Sequence, residues 1–117
     1  MSEITIKRTE SRIAELISKM ISQGAVKDPR LSRFVTITEV SVSKDYSFAK
    51  VHISTFEDES VLDTSVQILN DAAGLLQSRI GKSLRTRNTP KLYFVKDVSV
   101  RDGIRVNKII EDLDTSE

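Results

Sequence analysis

The sequence predicts a single α+β domain, in the order α-β-β-α-α-β, built on a three-stranded mixed sheet. Three observations carry that class. Apolar residues recur at helical spacing in three segments, they alternate at strand spacing in three others, and two of the helices lie together between the second and third strands. A crossover of that length permits the second and third strands to run parallel, whereas a short turn pairs the first two as a hairpin.

The first helix is set by Ile13, Leu16, Ile17, Met20 and Ile21, which fall on one face. Gly24 is placed to stop it, and "KDPRL" (27–31) reads as the connecting loop. In "FVTITEVSVS", Val35 and Ile37 alternate with polar residues, and Val40 and Val42 then alternate in the opposite phase. A β-bulge near Thr38 and Glu39 produces such a slip. "SKDYS" turns the chain, and "FAKVHIS" sets Ala49, Val51 and Ile53 against Lys50, His52 and Ser54.

"FEDESVLDTSVQILNDAA" is the second helix, with Leu62, Val66, Leu69 and Ala73 on its apolar face. Its acidic residues and Ser60 suit a first turn and its cap. The third helix runs from about Gly74 to Arg85 and buries Leu76, Ile80 and Leu84, with Asn70 and Asp71 placed to cap it and Thr89-Pro90 to end it. "KLYFVKDVSV" is the third strand, apolar on both faces around Leu92 to Val95.

At 117 residues, with 38% hydrophobic and 30% charged, the chain fits one globular domain with an ordered core over about 5–110 and an acidic C-terminal tail. No apolar run reaches membrane-spanning length, and the N-terminal stretch lacks the apolar core of a signal peptide, so a cytoplasmic protein is expected. With no cysteine there is no disulfide, thiolate metal site or thiol nucleophile. His52 stands alone and reads as a solvent-facing strand residue, so no metal or cofactor is expected. No phosphate loop, dinucleotide fingerprint or nucleophile elbow occurs, and nothing supports an enzyme or a small-molecule substrate. Tyr46, Phe48, Phe56, Tyr93 and Phe94 lie in or beside strands and read mostly as core, against a base-stacking platform.

The net charge of +1 conceals a segregation. Residues 73–96 carry six Lys/Arg and no acid, whereas 31–72 carry three and seven, and 97–117 three and six. Such a block attracts a polyanion better than the net charge suggests. Within it lie Arg79, Lys82, Arg85, Arg87 and Lys91, and arginine forks suit phosphate. A solubility face is the alternative reading, but a solvated face ordinarily mixes both signs. Lys7, Arg8 and Arg12 form a second cluster ahead of the first helix's apolar face, readable as a solvated arm or a further contact. Gly74 weakens a helix by about 1 kcal/mol relative to alanine. It marks either a corner where helices approach closely or a break that turns N–H groups outward toward phosphate.

The element order, with a basic helix pair before the last strand, resembles the type II KH fold. KH domains clamp nucleic-acid backbone with a GXXG loop. Here the loop is absent and Ala72-Ala73-Gly74 supplies an Ala-x-Gly interhelical break at the equivalent place. With "KDPRL" (27–31), "AKVHIS" (49–54), "AAGLLQSRIGKSLRTRNTPKLYFVKD" (72–97) and "DGIRVNKII" (102–110), the chain closely resembles bacterial ribosome-binding factor A over roughly residues 5–110. The resemblance implies a non-catalytic cytoplasmic protein, expected as a monomer. It implies binding to the free small (30S) ribosomal subunit and its 16S ribosomal RNA, help with late 5′-end processing, and importance in the cold. Carried over by position, it adds Ala72, Ala73, Gly74 and Arg30 to the RNA-binding set. The alternatives are a generic KH-type module for single-stranded nucleic acid and, from another class, a sensor or oligomerisation domain.

Overall fold

The computed structural model describes residues 3–84 and 89–97. The chain forms α1 (Glu3–Ser22), β1 (Thr36–Val42), β2 (Phe48–Ser54), α2 (Glu59–Asp71), α3 (Ala73–Ser83) and β3 (Lys91–Lys96). The sheet order is β1-β2-β3, antiparallel between β1 and β2 and parallel between β2 and β3.

α1 begins earlier than its apolar stripe suggests. Ile6 and the buried Thr9 extend the stripe toward the N-terminus, so Lys7, Arg8 and Arg12 are exposed helix residues and not an arm. Ile13 and Ile17 are fully buried, and Leu16, Met20 and Ile21 pack around them. The Glu10 carboxylate accepts the Val42 N–H at 2.7 Å, tying the helix to β1. The helix ends with Gly24 at φ 76°, where Ala25 N–H donates to Met20 O and Gly24 N–H to Ile21 O. That arrangement needs a left-handed residue, which glycine adopts at no steric cost.

The β1–β2 register shifts between Ile37 and Glu39, so Thr38 is the bulged residue. The extra residue lets Val40 and Val42 enter the core while Val35 and Ile37 pack at its margin. In the hairpin turn Tyr46 takes φ 61°, and burial of its ring offsets a backbone conformation unfavourable for a side chain.

Ala49, Val51, Ile53, Leu92 and Phe94 meet Ile13, Ile17, Leu62, Leu69, Leu76 and Ile80 in one core. α1 packs on β1, while α2 and α3 pack on β3. Because alternate strand residues point away from this core, the helices cover one face of the sheet, and no described helix covers the other. Tyr93 is thus exposed and Val95 only half-buried, so β3, apolar on both faces around Leu92 to Val95, is buried on one of them.

Asp58 occupies the N-cap of α2 through its carbonyl, with Glu59 and Ser60 in the first turn as expected, and the Ser60 carbonyl accepts the Thr64 hydroxyl. Two local expectations are corrected. Asn70 and Asp71 do not cap α3. Instead the Asn70 amide donates to Phe94 O at 2.9 Å and its oxygen accepts Phe94 N–H at 2.8 Å, replacing a neighbouring strand. Helix α3 stops at Ser83, and Leu84 is already extended well before Thr89-Pro90. The residues after Asp97 that the sequence assigns to the third strand, the "DGIRVNKII" segment and the acidic tail lie outside the described residues.

A polar hub not visible in the sequence pattern fixes the loop after α1. Ser65, fully buried on α2, accepts the Ser32 N–H at 3.1 Å. The Ser32 hydroxyl meets Thr55 Oγ1 at 2.9 Å and donates to the Glu57 carboxylate. No buried side-chain polar atom among the described residues lacks a partner.

Candidate nucleic-acid interface

The corner between α2 and α3 turns on one residue. Ala72 adopts φ −91°, ψ 1°, ending one helix and starting the next. Its N–H donates back to Ile68 O, and its carbonyl accepts Leu76 N–H. Leu69 and Leu76, on either side of the corner, are both fully buried, and this burial sets the bend. The first turn of α3 has no side-chain cap and no acidic residue. Its leading N–H groups have no partner further back in the helix, and its dipole presents positive potential at the surface.

Ala73 follows half-buried and Gly74 exposed. A Cβ built on Gly74 would meet nothing within 4 Å. The close-approach reading therefore fails within the described chain, and the open backbone of this turn faces outward. Gly81 is the reverse case. A Cβ there would stand 2.7 Å from Thr89 Oγ1, so this glycine admits the chain returning to β3.

Arg79 and Lys82 are exposed, one turn apart on α3, and neither forms an ion pair with a described residue. Leu76 and Ile80 occupy the opposite, buried face. Arg85 and Arg87 lie outside the described residues. Lys91 does not continue the α3 track. It alternates with buried Leu92 and points to the open sheet face, its Nζ 5.6 Å from the Tyr93 ring centroid.

The other basic candidates are less available. Lys7, Arg8 and Arg12 line a shallow hollow with Ser11 and Glu15, and Arg12 pairs with Glu15 at 3.5 Å. Arg30 is closed onto Asp28 by two guanidinium hydrogen bonds of 3.1 and 2.8 Å and by its own N–H at 2.9 Å. The Asp28 side-chain bond raises the Arg30 pKa, and the same bond holds the Asp28 carboxyl below its ordinary value. Lys96 bridges Glu59 at 2.7 Å and Asp63 at 3.1 Å, clamping α2 onto β3.

The aromatic residues depart furthest from expectation. Only Tyr46 and Phe94 are buried; Phe34, Phe48, Phe56 and Tyr93 are exposed. Phe56 is 91% exposed, with Phe34 edge-on at 6.4 Å. The signal for two of the others was present in strand phase. Phe48 shares its parity with Lys50 and His52, and Tyr93 with Lys91, and those are the polar positions.

Among the described residues no cluster of His, Asp and Glu could hold a metal, and no helix is long and apolar enough to cross a membrane. What the geometry defines is a two-layer α+β domain whose parallel strands are joined by a bent helix pair, with Arg79 and Lys82 exposed and without an ion pair among the described residues. Residues 5–110 match the family model for ribosome-binding factor A. The chain belongs to the ribosome-binding factor A family. A Borreliella burgdorferi ribosome-binding factor A is 44% identical over 109 residues, covering 93% of this chain and 91% of its own length. The solution NMR structure of a Thermotoga maritima protein superposes with a TM-score of 0.70 at 35% identity, covering 78% of this chain and 85% of that one. Thermus thermophilus ribosome binding factor A, as a homology model fitted into a cryo-electron-microscopy map of a 30S complex, gives 0.53 at 26% identity over 74% and 96% of the two chains.

Proposed function

We propose that this protein is an assembly factor of the small ribosomal subunit that docks on ribosomal RNA through the α2–α3 corner. The reading takes the domain as KH-like, with Ala72-Ala73-Gly74 as the Ala-x-Gly break that stands in for a GXXG loop. The observation that carries it is the corner itself. A first helical turn without acidic residues, its glycine backbone open, is followed by exposed Arg79 and Lys82, in a family whose Thermus member is placed on a 30S subunit. The leading N–H groups receive a phosphate, the cations hold its neighbours, and Arg85 and Arg87, next in sequence, add further positive charge. Lys7, Arg8 and Arg12 add a weaker contact from α1. Arg30 holds its loop through Asp28 and contributes less to RNA.

The protein acts by binding alone, as a cytoplasmic monomer, and catalyses no reaction. By preferring one conformation of maturing RNA it shifts the population toward that conformation. Its output is late maturation of 16S ribosomal RNA, including the 5′ end, and this matters most in the cold, where misfolded RNA escapes slowly.

Co-sedimentation with ribosomal subunits tests the reading. Recovery is expected in the free small-subunit fraction, and Arg79→Glu with Lys82→Glu should abolish it at unchanged thermal stability. Four to six phosphate contacts give a slope of log affinity against log salt of roughly −3 to −5. A slope near zero, or equal affinity for free oligonucleotides and subunits, would defeat the dedicated role, the second outcome favouring a generic nucleic-acid module.

A further inference from the structure

We propose that the open face of the sheet is a second RNA site, one that stacks unpaired bases on Phe48 and Tyr93. It lies on the opposite side of the sheet from the helices and shares no described residue with the corner. The proposal rests on the reading of the protein as an RNA binder, and it concerns which RNA is bound.

In the parallel β2–β3 register Phe48 pairs with Lys91 and Lys50 with Tyr93. Aromatic and cationic side chains thus alternate as a two-by-two checkerboard on one surface. The two residues are 49% and 41% exposed, with ring centroids 5.8 Å apart and planes tilted by 49°. Neither Lys50 nor Lys91 forms an ion pair with a described residue. Of the acids near the patch, Glu39 faces His52 on the same side of the sheet at 3.9 Å, Asp97 accepts the Thr38 hydroxyl at 2.5 Å, and Asp45 binds Ser43 and Ser47 in the hairpin turn.

Exposed rings flanked by Lys50 and by Lys91, whose Nζ lies 5.6 Å from the Tyr93 ring centroid, suit single-stranded nucleic acid, because each nucleotide offers a π-face and a phosphate. A protein hot spot of this size would be expected to be ringed by apolar neighbours, and a symmetric pair of copies would bring Lys50 and Lys91 against their own kind. RNA already in duplex cannot present base faces, so this surface favours segments that have not yet paired. Stacking is tolerant of base identity, so the preference is for unpaired structure and not for sequence.

The chain has two tyrosines and no tryptophan, and Tyr46 is buried, so emission changes on binding report Tyr93. The probes are a labelled oligouridylate of about ten nucleotides, long enough to span the patch, an abasic oligomer of equal length, and an RNA duplex. Oligouridylate should quench Tyr93 and bind about tenfold more tightly than the abasic strand. Phe48→Ala with Tyr93→Ala should reduce anisotropy-measured affinity to the abasic level, while Tyr93→Phe should preserve it. Equal affinity for the base-bearing and abasic strands would overturn the proposal. So would wild-type affinity in a folded Phe48→Ala/Tyr93→Ala variant, no binding of oligouridylate, or a dimer that this variant disrupts. The Arg79→Glu/Lys82→Glu variant separates the two claims. If it retains subunit binding the corner reading fails, whereas the oligouridylate comparison reports the sheet face alone.

Discussion

The two glycines of α3 should respond in opposite directions to alanine. Neither Gly74 nor Gly81 takes a positive φ, so alanine fits both backbones and gains helix propensity of up to about 1 kcal/mol. At Gly74 nothing opposes that gain, because the new methyl would meet no atom within 4 Å. Its place in the first turn trims the gain, so Gly74→Ala should stabilise by about 0.5–1 kcal/mol and raise Tm by roughly 2–5 °C. At Gly81 the methyl would sit 2.7 Å from Thr89 Oγ1. Overpacking costs about 1–3 kcal/mol, which leaves a net loss of about 1 kcal/mol after the propensity gain. Urea unfolding followed by far-ultraviolet circular dichroism measures both, with Gly81→Ala/Thr89→Ala closing a double-mutant cycle. The double variant should recover most of the loss. Equal destabilisation at both positions would refute the geometry. A stabilised Gly74→Ala protein with unchanged subunit affinity would show that RNA does not approach this backbone.

Asn70→Ala removes two hydrogen bonds to Phe94, and because water partly replaces them the loss should be about 1–2 kcal/mol by the same unfolding assay. Ser65→Ala leaves the buried Ser32 N–H without its acceptor, and should cost about 1–3 kcal/mol with weakened hydrogen-exchange protection at Ser32. Asp28 titrates below its ordinary 3.8 because the Arg30 side chain bonds its charged form. The stability this contributes is present above 3.8 and lost as pH falls through the lower folded value. Carboxyl NMR should show that midpoint rising toward 3.8 in Arg30→Gln, and an unmoved midpoint would disprove the assigned cause.

Much of the fold was legible because helix and strand periods are local. The slip from Val35 and Ile37 to Val40 and Val42 placed the bulge near Thr38 and Glu39, and the spacing of Ile13 and Ile17 identified the buried face of α1. The length between β2 and β3 correctly allowed a parallel pair. The charge block was equally plain, since 73–96 holds no acid wherever its residues point.

By itself the sequence determined the periodicities, the breaks and the charge inventory, because these depend on neighbours within a few positions. Only the tertiary structure decided what each special residue faces. Asn70 looked like a cap until Phe94, far along the chain, proved to be its partner, and Gly81 had no visible purpose until Thr89 returned beside it. Lys91 belonged to the basic run in sequence, yet strand parity turns it away from α3 and toward Tyr93. Packing three helices on one side of the sheet is what commits Phe48 and Tyr93 to the open side. Strand parity already groups Phe48 with Lys50 and Tyr93 with Lys91; that the helices leave their shared face uncovered is a property of the assembled layers.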